Sequence, residues 1–248
     1  MGAGDARPRV AGAMGWRERL TDVARFAVRP TYAPQPMAWG REAALALLLL
    51  LALDLAFGLL AVKALSLLGR AGSGGAMPAL VDSDLAPVVY WLEALIVAPV
   101  LEELLFRGWL TGRTAALQFG AWGMAAMAML LVSLNLPAKY ADPLSNGAVI
   151  VVIAALIQWG RTRERDTSVP AWFIRHFHWI VWGSTLLFGA IHFGNFERLT
   201  HPLGILVVLP QTIGGLLLAY TRTRLGLGAA IAHHVAFNAV FLAGDYSW

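Results

Sequence analysis

Pro99-Val-Leu-Glu-Glu-Leu-Leu-Phe-Arg-Gly108 sets three ionisable side chains, Glu102, Glu103 and Arg107, inside an otherwise apolar stretch. At the centre of a bilayer-crossing helix each such group costs roughly 2.5 to 3.5 kcal/mol on insertion scales. Each therefore needs a partner, a watery cavity or a task. At about 100° per residue, Glu103 and Arg107 fall on one helix face with the acid N-terminal to the base, so they neutralise each other. Glu102 lies about 100° from Glu103 and about 140° from Arg107, and is the carboxylate left to point elsewhere. A carboxylate in low-dielectric surroundings has a raised pKa and suits general acid–base work near neutrality. A purely structural ion cluster is the competing reading.

The surroundings of this decapeptide are those of a membrane protein. Of 248 residues 58% are hydrophobic and 14% charged, against about 25% charged in ordinary soluble domains. Apolar stretches able to cross about 30 Å of hydrocarbon fall at 43–68, 86–109, 115–136, 146–160, 177–193, 203–221 and 226–243. The expected fold is all-α: a polytopic transmembrane bundle of about seven spans, with the fourth and fifth short enough to be re-entrant or extended by flanking aromatic residues. Cysteine is absent, which excludes disulfides, thiolate nucleophiles and Cys-based metal sites.

Charge divides the chain in two. Residues 1–41 carry Arg7, Arg9, Arg17, Arg19, Arg25, Arg29 and Arg41 against Asp5, Glu18 and Asp22, a net +4 equal to that of the whole chain. This segment is expected to be cytoplasmic or interfacial, with 42–248 as the membrane-embedded domain and the first apolar helix as an uncleaved signal-anchor. Trp16, Leu20, Val23 and Phe26 or Ala27 recur at helical spacing among arginines, the pattern of a helix lying on an anionic membrane surface. A topogenic basic tail is the alternative. Arg113, Arg161, Arg163, Arg165, Arg222 and Arg224 fall on the same side as the N-terminus if spans alternate, so the positive-inside rule places all of them in the cytoplasm. The loops at 70–85, 137–145 and 194–202 and the Asp245 tail then face outward. Gly72-Ser-Gly-Gly75 and Pro137 to Pro143 read as loop punctuation.

Two further constellations lie on later spans. Phe188-Gly-Ala-Ile-His192 puts a ring and an imidazole four residues apart on one face; His234-Val-Ala-Phe-Asn238 does the same for an imidazole and a carboxamide. A lone histidine in a membrane helix often only bonds a neighbouring helix. Asp54 and Glu93 read as structural, Glu93 being on the face opposite Glu102; His233 points away from the Asn238 face. His176, His178 and His201 fit span ends, and Trp159, Trp172, Trp179 and Trp182 an aromatic belt. Ser184 lies two turns before His192 but has no serine-protease motif around it.

Glu-Glu-x-x-x-Arg, Phe-x-x-x-His and His-x-x-x-Asn, in this order on separate apolar helices, resemble the CPBP (CAAX protease and bacteriocin-processing, or Abi) family of membrane endopeptidases, which includes the type II CAAX prenyl endopeptidases. The resemblance covers about residues 86–242. It implies a glutamate-type intramembrane protease in which Glu102 activates water with help from His192, while His234 and Asn238 stabilise the oxyanion. Glu103, Arg107 and Phe188 match supporting positions. No cofactor and no metal are expected; the zinc-dependent variant would use Glu102, His192 and His234 as ligands. The implied partners are a peptide or protein substrate, lipidated or membrane-anchored, and membrane lipids, with no nucleic acid. Family members process prenylated C-termini, bacteriocin-type peptides or sorting signals of exported proteins. The Ala-, Gly- and Arg-rich composition points to a bacterial inner membrane, where a sorting-type or maturation substrate is expected. A transporter or an immunity or scaffold protein using buried Glu and His is the non-enzymatic alternative. One departure from the family pattern is the interval of about ninety residues between Glu102 and His192, enough for an additional helical pair. Another difficulty is depth, since antiparallel spans with these bounds put Glu102 and His192 toward opposite ends.

Overall fold

The structure, a computed structural model, describes residues 15–71, 77–81, 85–133 and 136–244. Arg7 and Arg9, the Gly72–Gly75 turn and the Asp245 tail lie outside the described residues.

Apolar length dictates an all-helical bundle. After α1 (Trp16–Val28), the chain makes seven helical passages: α2 (Arg41–Ala71); a broken passage through α3 (Pro87–Leu92), a π-turn (Glu93–Val97), α4 (Ala98–Glu102), a second π-turn (Glu103–Arg107) and a 3-10 turn (Gly108–Thr111); α5 (Thr114–Ser133); α6 (Ala138–Thr162); α7 (Ala171–Ile191); a 3-10 segment (Pro202–Val208) running into α8 (Leu209–Leu225); and α9 (Leu227–Ala243). Four of these, Arg41–Gly69, Thr114–Ser133, Ala138–Thr162 and Pro202–Leu225, are long and apolar enough on their own to cross a membrane. Exposed Leu48, Leu60, Val88, Ile150 and Leu186 give the outside of the bundle an apolar coat, as lipid contact requires. The protein is thus an integral membrane helical bundle.

The fourth expected span, α6, is long and apolar enough to cross a membrane, and the fifth, α7, is a helix of 21 residues. α6 begins at Ala138, so the expected loop at 137–145 is mostly helix: Pro137 sits just before the first turn, where its fixed φ suits helix entry. Pro143 lies inside the helix one turn further on, where its missing N–H costs only a bond to Lys139 near the helix end. α7 begins at Ala171, six residues before the expected start at 177. Those residues settle the depth difficulty. The first turns of α7 pack low, Phe173 and Phe177 lying edge-on to Tyr32 at 5.9 and 5.5 Å, so that Ser184 arrives beside Phe106 and donates to its carbonyl at 2.8 Å. The C-terminal end of α7 then stands level with Glu102.

The ninety-residue interval between the first two motifs is filled by the α5–α6 hairpin and the start of α7. α5 buries a stripe of small residues, Ala115, Ala116, Gly120, Gly123 and Ala126, against the broken passage. A Cβ at Gly120 would lie 2.5 Å from Trp109, so only glycine permits this approach.

α1 is anchored to the bundle rather than lying free. Phe26 is buried edge-on against Tyr220 at 5.2 Å, Arg19 pairs with Glu42 at 2.8 Å, and Asp22 accepts from Tyr220 Oη at 2.8 Å and Arg224 Nε at 3.1 Å. Tyr32 Oη donates to Thr111 O at 2.9 Å, and burial pushes this hydroxyl above its ordinary pKa while Arg113 pulls it back. These contacts gather the helix ends bearing Arg113, Arg163, Arg222 and Arg224 into one arginine-rich end of the bundle.

Candidate active site

Two π-turns shape the helix that carries the charged motif. In the first, the Ala98 N–H reaches back five residues to Glu93 O; in the second, Glu103–Arg107, the wider turn leaves carbonyls that a regular helix would pair. Those carbonyls find side chains from distant helices. Ser184 bonds Phe106 O, and buried Arg222 donates from Nε to Arg107 O at 3.0 Å and from Nη2 to Gly108 O at 3.2 Å. The motif helix is therefore held open by α7 and α8.

Glu103 and Arg107 form the expected ion pair between Oε1 and Nη1. Glu103 is entirely buried. The same Oε1 also accepts from His234 Nδ1 at 3.0 Å, a contact that the spacing within the motif did not reveal. Arg107 lies over the Phe188 ring at 4.2 Å, and its Nη2 reaches Gly215 O at 3.4 Å. A Cβ at Gly215 would sit 2.9 Å from Phe188, so this glycine lets α8 close on the ring. Phe188 is the hub of the site: its ring centroid lies 4.8 Å from that of His192, 6.0 Å from His234 and 5.3 Å from Phe106.

The remaining imidazole nitrogens are Nε2 of His192 and Nε2 of His234. His192 Nδ1 donates to Phe188 O at 2.7 Å, which fixes the neutral ring with its lone pair on Nε2. His234 Nε2 stands 3.7 Å from Glu102 Oε2. With Nδ1–H given to Glu103, a neutral His234 would present a lone pair to a carboxylate. A proton on Nε2 or on Glu102, or a bridging water, must lie between them. The Glu102 side chain keeps 22% of its surface exposed, whereas Glu103 keeps none. Of these two acids Glu102 is the one that reaches the surface of the bundle. Asn238 Nδ2 donates to Ala94 O at 2.8 Å, in the first π-turn, and retains its second N–H and its carbonyl oxygen.

The structure thus joins Glu102, Glu103, Arg107, Phe188, His192 and His234 in one cluster and ties Asn238 to the neighbouring turn. Ser184 is committed to a carbonyl. Among the described residues no three His, Asp or Glu side chains are grouped so as to hold a metal ion. Behind His234 lies a second polar group: His233 Nε2 is 3.3 Å from Asp54 Oδ2, and its Nδ1 is 3.0 Å from Thr221 Oγ1, all of them buried. Asp54 and His233 pair across α2 and α9, a contact that left no local trace in the sequence.

The family model described as "Type II CAAX prenyl endopeptidase Rce1-like" matches residues 84–240, well over half of the chain and all three motifs. The chain belongs to this family. At that level it is a CAAX-type membrane protease, and the match runs from just before α3 into α9, with α1 and α2 outside it. No curated protein and no solved structure matched the chain.

Proposed function

We propose that this Rce1-like protein is a glutamic intramembrane endopeptidase that hydrolyses a peptide bond at or within the bilayer. The observation that supports this best is the convergence of Glu102, His192 and His234 from three helices on one spot, where Glu102 is partly exposed and Glu103 fully buried. In this reading Glu102 takes a proton from a water that His192 Nε2 also holds. The water oxygen bonds to the scissile carbonyl carbon, and negative charge develops on the carbonyl oxygen. His234, protonated at Nε2 and held by Glu103 through Nδ1, donates to that oxyanion together with the free N–H of Asn238. Collapse breaks the C–N bond as Glu102 passes its proton to the leaving amine.

Glu103 and Arg107 act one step back. Arg107 pairs with Glu103, and Glu103 in turn holds His234 through Nδ1, so that Nε2 is the nitrogen turned toward Glu102. The mechanism uses no metal. Substrates in this reading are membrane-anchored, exported or lipidated proteins or peptides processed near their C-termini. The arginine-rich end faces the cytoplasm of a bacterial inner membrane, following the positive-inside rule.

Purified wild type and Glu102→Gln, assayed on lipidated peptides and tail-anchored reporters with and without a strong chelator, test the proposal. Chelator-resistant cleavage that Glu102→Gln abolishes is expected. Cleavage at an equal rate by the variant, or cleavage lost to the chelator, overturns the mechanism.

A further inference from the structure

At the arginine-rich end, the seam between the α5–α6 hairpin and the rest of the bundle opens into a cavity of about 210 Å³ that the proposed chemistry does not use. Three guanidinium groups line it, Arg113 at the start of α5, Arg163 just past α6 and Arg222 near the end of α8, with Glu164 as the one carboxylate. The local balance is +3 − 1, or +2. Among the described residues none of the three arginines has a carboxylate partner. Arg222 is more than nine-tenths buried and fixed through Nε and Nη2 on two carbonyls, leaving Nη1 without a protein hydrogen bond among the described residues. Arg113 and Arg222 are close enough to repel each other. Arg163 is held at the rim over the Trp159 ring at 5.5 Å. The other wall is apolar, built from Leu104, Phe119 and Trp159.

Three guanidinium groups facing a single carboxylate leave the cavity with an excess of positive charge, which calls for an anion, and guanidinium groups match phosphate oxygens bidentately. The cavity lies where five helix ends meet at the arginine-rich end of the bundle, and the ends of membrane-crossing helices are where headgroups are expected. Phe119 of α5 and Trp159 of α6 put its apolar wall on the hairpin side. We propose that the cavity binds the phosphate headgroup of an anionic phospholipid, with an acyl chain lying along Phe119 and Trp159, and that this lipid cements the hairpin to the catalytic helices. The site is independent of the proposed cleavage mechanism.

The test is lipid binding to delipidated, detergent-purified full-length protein, measured by native mass spectrometry with phosphatidylglycerol and phosphatidylcholine of the same acyl chains. One phosphatidylglycerol is expected to bind at least roughly tenfold more tightly than phosphatidylcholine, and Arg113→Gln with Arg163→Gln to remove that preference. Both side chains are exposed, so the fold is not at stake. Arg161→Gln with Arg165→Gln removes the same charge beside Arg163, at and just past the end of α6 but outside the cavity lining, and is expected to change affinity less than about twofold. Equal binding of the two lipids overturns the proposal, as does equal loss in both double variants. Full competition by millimolar inorganic phosphate overturns the lipid part, since the headgroup anion alone would then suffice. Arginine-dependent displacement of phosphatidylglycerol by a peptide with a free C-terminal carboxylate assigns the cavity to substrate instead.

Discussion

His233 and His234 are neighbours on α9, and each meets an acid, yet the two sides of the helix are built for different ends. His233 lies in a sealed group with Asp54 and Thr221, where the Asp54 side chain is only 3% exposed. His234 lies between Glu103, which is as sealed as Asp54, and Glu102, which is partly exposed. An imidazole meets a carboxylate on both sides. The difference is that one carboxylate beside His234 reaches the surface of the bundle, and the proposed mechanism rests on that difference.

The largest effect should come from the exposed acid. Glu102→Gln keeps shape and removes the base, so cleavage in a purified assay should fall by about 10² to 10⁴ while thermal stability stays near wild type. A matching loss of stability would erase the contrast between the two sides of α9. Asn238→Ala comes next: the rate should drop by about a hundredfold, as for other oxyanion donors, mainly in kcat. Cleavage rates on a single reporter substrate under saturation would measure it.

Glu103→Gln probes the shared oxygen. It leaves Arg107 buried without its counter-charge, at a cost of about 3 to 5 kcal/mol, and also replaces the carboxylate that His234 Nδ1 bonds with a neutral amide. Reduced melting temperature and reduced rate should therefore appear together. Loss of stability with an unchanged rate per folded molecule would confine Glu103 to scaffolding. The smallest effect on rate belongs to the sealed side. Asp54→Asn should cost roughly 1 to 3 kcal/mol in a thermal-unfolding assay with rates per folded molecule within about twofold. A hundredfold rate loss there would mean that the two histidines act as one unit.

Much of this was legible in the sequence because it is local. The seven passages follow from apolar length, and the Glu103–Arg107 pair and the Phe188–His192 stack follow from four-residue spacing on one helix face. What could not be read depends on residues far apart in the chain. The π-turns at Glu93–Val97 and Glu103–Arg107 carry no composition of their own; the second survives because Ser184 and Arg222 supply donors from other helices. The early start of α7 was masked by Arg175, His176 and His178, which lower its hydropathy although the helix packs low enough to place them near its end. The second partner of Glu103 was hidden for the same reason, since nothing within the motif specifies which imidazole α9 will turn toward it.

Glu103 and His234 are separated by 131 residues, and this distance sets an order of events during synthesis. While α4 is already in the membrane, Glu103 has only Arg107, and Glu102 has no imidazole beside it. The histidine that completes the constellation emerges only with α9. Under the proposed mechanism the active centre closes only once α9 is inserted, so the protease stays silent until then, sparing half-made neighbours at the insertion machinery and any truncated copy of itself that ends before α9.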